Sequence, residues 1–187
     1  MAGGWSRVAK RIRVPLGFVF AAFFLWLARP SAAFLAWSLL LVIPGLWLRG
    51  YASGYVKKNA EVTMTGPYAH TRNPLYLGST LIAFGFALAA RSVWIAVALA
   101  LLFAVIYIPV IRAEEAFLRA SFAGYDEYAT RVPRLIPRFR PAMTQMANDG
   151  CFSSALYRKH REYNALIGAA AIYAALILKL CLWGGPF

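Results

Sequence analysis

Cysteine and histidine, which carry most redox and metal chemistry in proteins, are scarce in this sequence. Its 187 residues include two cysteines, Cys151 and Cys181, and two histidines. Cys181 lies near the far end of a long apolar run and Cys151 in the polar segment before that run, which disfavours a bridge between them. The spacing of these residues matches no metal-ligand pattern, and the chain has no internal repeat or low-complexity segment. The sequence therefore predicts neither a disulfide framework nor a metal site.

Negative charge is also scarce. Seven aspartates and glutamates stand against 20 lysines and arginines, which gives a formal net charge of +13 at pH 7. A surplus of this size is found in proteins that bind nucleic acids and in the cytoplasmic loops of membrane proteins. The positions of the charges decide between these two classes.

The remaining composition is that of a membrane protein. The chain is 61% hydrophobic and 16% aromatic, and its mean hydropathy is +0.58. These values predict an all-α, polytopic integral membrane bundle of about five transmembrane helices. The first and third apolar runs are short for a bilayer core of about 30 Å. Either the membrane-spanning helices extend into the flanking residues, or the first two runs form a hairpin that does not fully cross the bilayer. The runs are Val14–Ala28, Ser31–Leu48, Leu75–Ala90, Val93–Ile111 and Ala165–Trp183.

The charges predict the orientation of the chain. With a cytoplasmic N-terminus, every basic residue except Arg29, Arg91 and Lys179 falls on the cytoplasmic side, together with all the acidic ones. This distribution follows the positive-inside rule, and attraction to anionic lipid head groups accounts for the surplus. We therefore expect membrane lipids, and no nucleic acid, as partners. Lys179, inside the last run, is expected to snorkel to the nearby interface.

The basic N-terminus can be interpreted in two ways. Basic residues, an apolar run and the small residues Ser31-Ala32-Ala33 also fit a cleaved secretory signal. A second apolar run follows almost at once across Arg29-Pro30, which favours a retained helical hairpin. On this interpretation residues 1–48 form an N-terminal transmembrane hairpin, residues 49–140 a polar-rich core around a second hairpin, and residues 141–187 a linker, an interfacial helix and the last span.

The first motif is TGPYAHTRNPLYLG, Thr65–Gly78. Asn73 and Pro74 are typical of an N-cap and a first helical residue. Capping does not explain why Tyr68, His70, Arg72 and Tyr76 crowd the same helix end. Gly78 lies one turn inside the helix, where glycine costs about 1 kcal/mol relative to alanine, which predicts a close approach by backbone or ligand. A helix N-terminus beside an arginine also suits a carboxylate or phosphate.

The second motif is IRAEEAFLRASFAGYDEYATRVPRLIPR, Ile111–Arg138. Pro109 is expected to kink or open the last turn of the preceding span and so splay the residues that follow. Glu115 and Arg119 stand at i and i+4, which predicts a surface ion pair. Glu114 then faces about 100° away and is free to meet a ligand.

Together the two motifs resemble those of the isoprenylcysteine carboxyl methyltransferase and phospholipid methyltransferase superfamily. GPYAHTRNPLYLG is similar to its first signature and EEAFLRASFAGYDEYATRVPRLIPR to its second, in the expected order and separated by one transmembrane hairpin. The resemblance covers roughly residues 40–140, which makes residues 49–140 the expected methyltransferase core. It implies an integral membrane methyltransferase that uses S-adenosylmethionine at the cytoplasmic face and takes a lipophilic or lipid-anchored substrate from the bilayer. The cofactor contacts it implies are Tyr68, Arg72, Asn73, Tyr76, Leu77, Gly78, Glu114 and Glu115.

One position departs from the family pattern and bears on the acceptor. Many members have histidine where this chain has Asn73, and an amide cannot act as a base near neutral pH. A carboxylate acceptor is already ionised and needs only positioning, for which Arg112 or Arg134 are candidates. An amine would have to lose a proton to Glu114, Glu115 or His70. We therefore favour an isoprenoid or lipid-like carboxylate over an amine.

Two other functions remain open at this stage. Sterol and steroid reductases that use NADPH have a similar membrane fold and comparable motifs, but the Glu114-Glu115 pair and the small number of spans disfavour them. A non-enzymatic membrane interaction protein could keep the same fold. The concentration of polar residues at helix ends disfavours this reading, because such residues are costly in a membrane.

Overall fold

The computed structural model describes residues 19–57, 61–142 and 150–183. The described residues form helices joined by turns, which confirms the all-α prediction. The first helix, α1, is described over residues 19–27. The others are α2 Ala32–Ser53, a 3₁₀ turn at Gly66–Ala69, α3 Pro74–Ala90, α4 Val93–Leu102, a π-helical segment at Phe103–Tyr107, α5 Ile108–Ser121, α6 Tyr125–Arg131, α7 Ser154–Lys159 and α8 Tyr163–Trp183.

Three helical stretches are long and apolar enough to cross a membrane. They are Ala32–Ser53, Val93–Ser121 and Tyr163–Leu182, and a shorter apolar helix covers Pro74–Ala90. This pattern is that of a polytopic helical membrane protein. The first predicted run, Val14–Ala28, lies partly outside the described residues, so the count of five spans stays a prediction.

Pro109 does not end its helix, and the turn before it is widened into a π turn, so of the expected kink or opening the structure shows the opening. The segments α4, Phe103–Tyr107 and α5 follow one another without a break from Val93 to Ser121. Proline lacks an N–H and its ring collides with the carbonyl one turn earlier. The widened π turn lies in that preceding turn, where a bulge of this kind relieves the collision without ending the helix.

The fold contains two compact units, each assembled from segments distant in sequence. The first comprises the described residues within 1–42, 83–113 and 168–187, and the second those within 43–82 and 114–167. These units cut across the linear division at residues 48 and 140. Within the first unit, the ammonium of Lys179, expected at the membrane interface, donates to the carbonyls of Leu25 and Trp26 at 2.5 and 3.1 Å. The last carbonyls of a helix lack partners within it, so Lys179 caps the end of α1.

The second unit contains both motifs. A small buried core of Met64, Tyr125, Tyr128, Val132 and Ala142 packs the residues before the first motif against the second. The C-terminal segment belongs to the same unit, because the amide of Ser153 donates to the carbonyl of Gly54 at 2.9 Å.

The predicted interfacial helix over Ala155–Asn164 is divided in two. The helix α7 ends at Lys159, and α8 begins at Tyr163. Between them Arg161 adopts a left-handed backbone with φ of +53°. A residue in that conformation cannot continue a right-handed helix, so the chain turns before the last span.

Candidate functional site

A buried carboxylate, Glu115, lies at the centre of the second unit. Only 4% of the residue is exposed. Arg134 donates to it three times, from Nε at 3.0 Å to each oxygen and from Nη2 at 2.7 Å to Oε2. Arg72 Nη1 lies 3.5 Å from Oε1, and Asn73 Nδ2 donates to the same oxygen at 3.3 Å. One carboxylate thus joins the two motifs.

Asn73 occupies the predicted position and has an additional role. It immediately precedes Pro74, the first residue of α3, and its carbonyl accepts from the amide of Leu77 at 3.0 Å. Its side-chain amide donates to Glu115 and, at 2.9 Å, to the carbonyl of Arg134. The asparagine therefore links the start of α3 to the second motif, which helix capping alone does not account for.

The predicted ion pair between Glu115 and Arg119 is wrong. Glu115 points into the buried side of α5, where two arginines and an amide offset the cost of burying its charge. Arg119 instead pairs with Asp126, Nε to Oδ1 at 2.5 Å, across the turn at Gly124, whose φ is +84°. Glu114 and Arg112 are exposed on α5, so Glu114 faces away from the buried cluster as expected.

The backbone of residues 133–142, which we call the docked loop, is hydrogen-bonded to the first motif. The hydroxyl of Thr71 donates to the carbonyls of Arg134 and Leu135 at 3.2 and 3.1 Å. Three further bonds run from Arg72 N to Pro133 O, Arg138 N to His70 O and Ala142 N to Ala69 O, at 2.9, 3.0 and 2.9 Å. The two motifs therefore form one structure, which hydrogen bonds to backbone groups stabilise in addition to the ion pairs of Glu115.

Two buried tyrosines support this arrangement as neutral phenols. The hydroxyl of Tyr128 donates to the carbonyl of Tyr68 at 2.8 Å. Burial raises the pKa of Tyr68 well above its ordinary value, and the negative charge of Glu114 raises it further. Burial likewise raises the pKa of Tyr128. Neither side chain can serve as a base near neutral pH.

A second ion pair, between Arg49 and Glu162, was not predicted. Arg49 Nη2 lies 2.9 Å from Oε2 of Glu162, and its Nε donates to the same oxygen at 3.1 Å. Its Nη1 donates to the carbonyl of Leu75 at 3.4 Å and to the hydroxyl of Ser79. This arginine joins the end of α2, the first turn of α3 and the start of α8. Local sequence carries no signal for it, since the partners are 113 residues apart.

Arg49 and Glu162 are expected to be strongly coupled. The side chains are 24% and 12% exposed, so removing either leaves a largely desolvated charge without its partner. A double-mutant cycle with Arg49→Gln and Glu162→Gln, followed by unfolding in detergent, should give a coupling energy of about 1 to 3 kcal/mol.

The exposed pair Lys57 and Glu61 provides the matched control for that cycle. Its atoms are also 2.9 Å apart, but the side chains are 51% and 36% exposed. Solvent screening should hold its coupling to a few tenths of a kcal/mol. If the coupling energies of the Arg49–Glu162 and Lys57–Glu61 pairs are equal, Arg49 does not form a stabilising buried ion pair with Glu162.

Gly78 is explained by helix packing. A Cβ atom there would lie 2.7 Å from both the carbonyl oxygen of Gly45 and Cγ of Arg49, and one at Gly45 would lie 2.8 Å from the carbonyl oxygen of Gly78. The helices α2 and α3 therefore meet backbone to backbone. The predicted close approach is confirmed as an approach by backbone.

Two cavities lie within the second unit. The smaller, which we call the motif cavity, has a volume of about 350 Å³ and its walls include His70, Thr71, Leu77 and Pro137. The larger, the aromatic cavity, has a volume of about 710 Å³. Its lining residues are Ile43, Leu46, Trp47, Gly50, Tyr51, Phe152, Tyr157, Glu162 and Leu166. Trp47 and Tyr51 line both cavities, so the two are neighbours.

Apart from Gly78, which lies at the contact of α2 with α3, the predicted site residues fall into three groups. Glu115 holds Arg72, Asn73 and Arg134 in one cluster. Leu77 lines the motif cavity, while Tyr68 is buried and Tyr76 half-buried nearby in sequence. Arg112 and Glu114 are exposed outside the cluster.

Comparison with known proteins identifies the family. The family model described as phospholipid methyltransferase matches residues 31–124, half of the chain. The nickel-cobalt-cadmium resistance protein NccN of Alcaligenes xylosoxydans xylosoxydans is 38% identical over 114 residues, which are 59% of this chain and 53% of NccN. The cobalt-zinc-cadmium resistance protein CzcN of Cupriavidus metallidurans is 38% identical over 99 residues, 53% of this chain and 45% of CzcN.

The chain spans about half the length of these curated relatives, and no solved structure matches it. Among the residues that the structure describes, no three His, Cys, Asp or Glu side chains lie close enough together to hold a metal ion. The family match includes the first motif and the Glu114-Glu115 pair, and so confirms the resemblance on which both were recognised. The chain belongs to the phospholipid methyltransferase family.

Proposed function

We propose that the protein transfers the methyl group of S-adenosylmethionine to a lipophilic acceptor in the membrane. The observation that carries this proposal is the buried Glu115, which joins both family motifs through Arg72, Asn73 and Arg134. When bound, S-adenosylmethionine supplies a methyl carbon on a sulfonium. The bond from an acceptor oxygen to that carbon forms as the carbon–sulfur bond breaks, which leaves neutral S-adenosylhomocysteine and a methyl ester. The family match supports the cofactor.

Arg72 is the residue best suited to the carboxylate of the cofactor. Its Nε is buried and has no hydrogen-bond partner among the described residues. It also lies two residues before α3, whose free N–H groups favour a negative charge. A carboxylate bound here would accept a charge-assisted hydrogen bond from Nε and would also lie near the positive end of α3.

We assign the other predicted cofactor contacts either to direct contact with the cofactor or to positioning of its binding residues. Glu114 is exposed and its charge acts on Tyr68, which supports a role for it as an acceptor of hydrogen bonds from hydroxyl or amino groups of the cofactor. The rings of Tyr68 and Tyr76 suit the neighbourhood of a positive sulfonium. Asn73 and Glu115 already bind other residues of the chain, so we propose that they position Arg72 and Arg134 and do not touch the cofactor.

The aromatic cavity supports a lipophilic acceptor. Its walls are mainly apolar and aromatic, and its one acidic member, Glu162, is neutralised by Arg49. A cavity of about 710 Å³ is of the size that encloses a small-molecule ligand. It lies between residues of α2 and α8, both long enough to span the membrane, so an acyl or isoprenoid chain could enter from the bilayer.

We favour a carboxylate as the reacting group. Arg134 remains 49% exposed while it binds Glu115, so it can also hold an anionic acceptor. Both oxygens of Glu115 already accept hydrogen bonds from Arg134, and Oε1 also accepts from Asn73, so we assign no proton transfer to it.

An amine acceptor is the second candidate, and it rests on His70. The Nδ1 of this residue lies 2.8 Å from the carbonyl oxygen of Arg138, which can only accept, so Nδ1 donates this hydrogen bond and does not serve as the acceptor of a proton. His70 also lines the motif cavity. Its Nε2 is therefore the atom that would receive the proton of an ammonium acceptor.

Calorimetry on the purified protein in detergent tests the proposal. S-adenosylhomocysteine should bind, and Glu114→Gln should weaken binding about tenfold, the loss of one hydrogen bond to a charged group, without a change in thermal stability. Lys57→Gln, an exposed charge change on the same unit, is the control and should leave the affinity unchanged. Binding of NADPH alone would replace the proposal with a reductase. Binding of neither would favour a non-enzymatic protein.

A further inference from the structure

The docked loop exposes two large apolar side chains that no folding requirement explains. Phe139 is fully exposed and Ile136 is 80% exposed. Burial of side chains of this size and polarity is favourable, so their common exposure three residues apart indicates a covering surface.

Backbone contacts on both sides hold the loop in this conformation. Arg138, which lies between the two apolar residues and next to Phe139, donates its amide to the carbonyl of His70 at 3.0 Å. The carbonyl of Arg138 in turn accepts from His70 Nδ1 at 2.8 Å. Thr71 also binds the carbonyl of Leu135, and Ala69 binds the amide of Ala142, so hydrogen bonds on both sides of Ile136 and Phe139 hold the loop backbone in place.

Basic residues surround the two apolar side chains. Arg134, Arg138 and Arg140 are all exposed. The segment Arg134–Arg140 therefore alternates arginines with apolar residues, which is the composition of segments that lie at the interface of an anionic bilayer. Its hydrogen-bond partners, residues 69–73, lead directly into the apolar helix α3, so the loop lies near the level at which the chain meets the membrane.

We propose that the docked loop inserts Ile136 and Phe139 into the head-group region of an anionic lipid bilayer, with Arg138 and Arg140 on lipid phosphates. This contact is independent of the proposed methyl transfer. Pro137, within the loop, also lines the motif cavity, so lipid contact by the loop keeps that cavity close to the membrane surface.

Spin-label depth measurements test the insertion. A nitroxide is attached at Phe139→Cys in a Cys151→Ser, Cys181→Ser background, and the full chain is placed in nanodiscs of phosphatidylglycerol or of phosphatidylcholine. In phosphatidylglycerol the label should be more accessible to oxygen and less accessible to a water-soluble nickel chelate than a label at Thr130→Cys, an exposed position on α6. Equal accessibilities at the two positions would overturn the proposal.

Two variants separate lipid insertion from mere exposure. With the label at Ile136→Cys, Phe139→Asp should shift the label towards water, because a carboxylate opposes insertion next to anionic lipid. Arg140→Gln should lower the ratio of inserted to withdrawn label about fivefold in phosphatidylglycerol, the equivalent of one lost arginine contact at an anionic surface. Insertion that is the same in phosphatidylcholine and is unaffected by Arg140→Gln would overturn the assignment to anionic lipid.

Discussion

Glu115→Ala is expected to lower the free energy of unfolding by about 3 kcal/mol and to abolish binding of S-adenosylhomocysteine. The change leaves Arg72, whose side chain is 12% exposed, beside an empty site with its charge uncompensated. Arg134 is half exposed and can turn to water, which places the loss at the lower end of the range for breaking buried pairs. Without Glu115 the two motifs keep their hydrogen bonds to backbone groups but lose the ion pairs that hold Arg72 and Arg134 together, so the proposed cofactor contacts lose their alignment.

The neighbouring residue provides the matched control for Glu115. Glu114→Ala removes the same charge from the same helix at an exposed position, so thermal unfolding in detergent should change by less than about 0.5 kcal/mol. Glu115→Gln should lie between the two, because an amide keeps one acceptor for Arg134 but loses the charge. Equal stability of Glu115→Ala and Glu114→Ala would show that the cluster does not hold the motifs together.

Gly78→Ala is expected to destabilise the protein by about 1 to 3 kcal/mol, although alanine is the better helix former. The added carbon would meet the carbonyl oxygen of Gly45 at 2.7 Å, a backbone atom that cannot move without separating α2 from α3. It would also press on Arg49 at 2.7 Å and so disturb the contacts to Glu162 and Ser79. Unfolding of the detergent-solubilised protein, followed by tryptophan fluorescence, measures the change.

A glycine in open surroundings tests the cause of this effect. Gly168, in α8, has no atom within 4 Å of an added Cβ, so Gly168→Ala should be neutral or stabilising by up to about 1 kcal/mol. Gly45→Ala meets Gly78 from the other helix and should resemble Gly78→Ala. If the substitutions at positions 78 and 168 have the same effect, the helices do not meet backbone to backbone.

The features that the sequence predicted well are those with a local signal. Apolar length located α2, α3 and α8, and Asn73-Pro74 marked the first residue of α3. The two motifs were recognised from short patterns, and the glycine at position 78 correctly indicated a close approach. Each of these depends on residues only a few positions apart, where helix geometry and propensity dominate.

The features that it missed depend on partners far along the chain. The i, i+4 rule paired Glu115 with Arg119, but burial selects the nearest donors in space, and Arg134 is 19 residues away. No local sequence pattern indicated the ion pair between Arg49 and Glu162. Pro109 was expected to kink or open its helix, and the structure shows an opened turn. The form of that turn, a π helix over Phe103–Tyr107, could not be predicted because none of those residues specifies one.

The pairing of the docked loop with the first motif has a consequence for synthesis in the cell. Side-chain bonds between them join residues 61 to 68 positions apart. At typical elongation rates of about 5 to 20 residues per second, the first motif waits roughly 3 to 14 s for its partners to leave the ribosome. During that interval α3 must enter the membrane, and α4 and α5 must bring the chain back to the side on which the first motif lies. The polar groups of His70, Thr71 and Arg72 therefore depend on water until the loop arrives, so the site is completed only after its hairpin has entered the membrane.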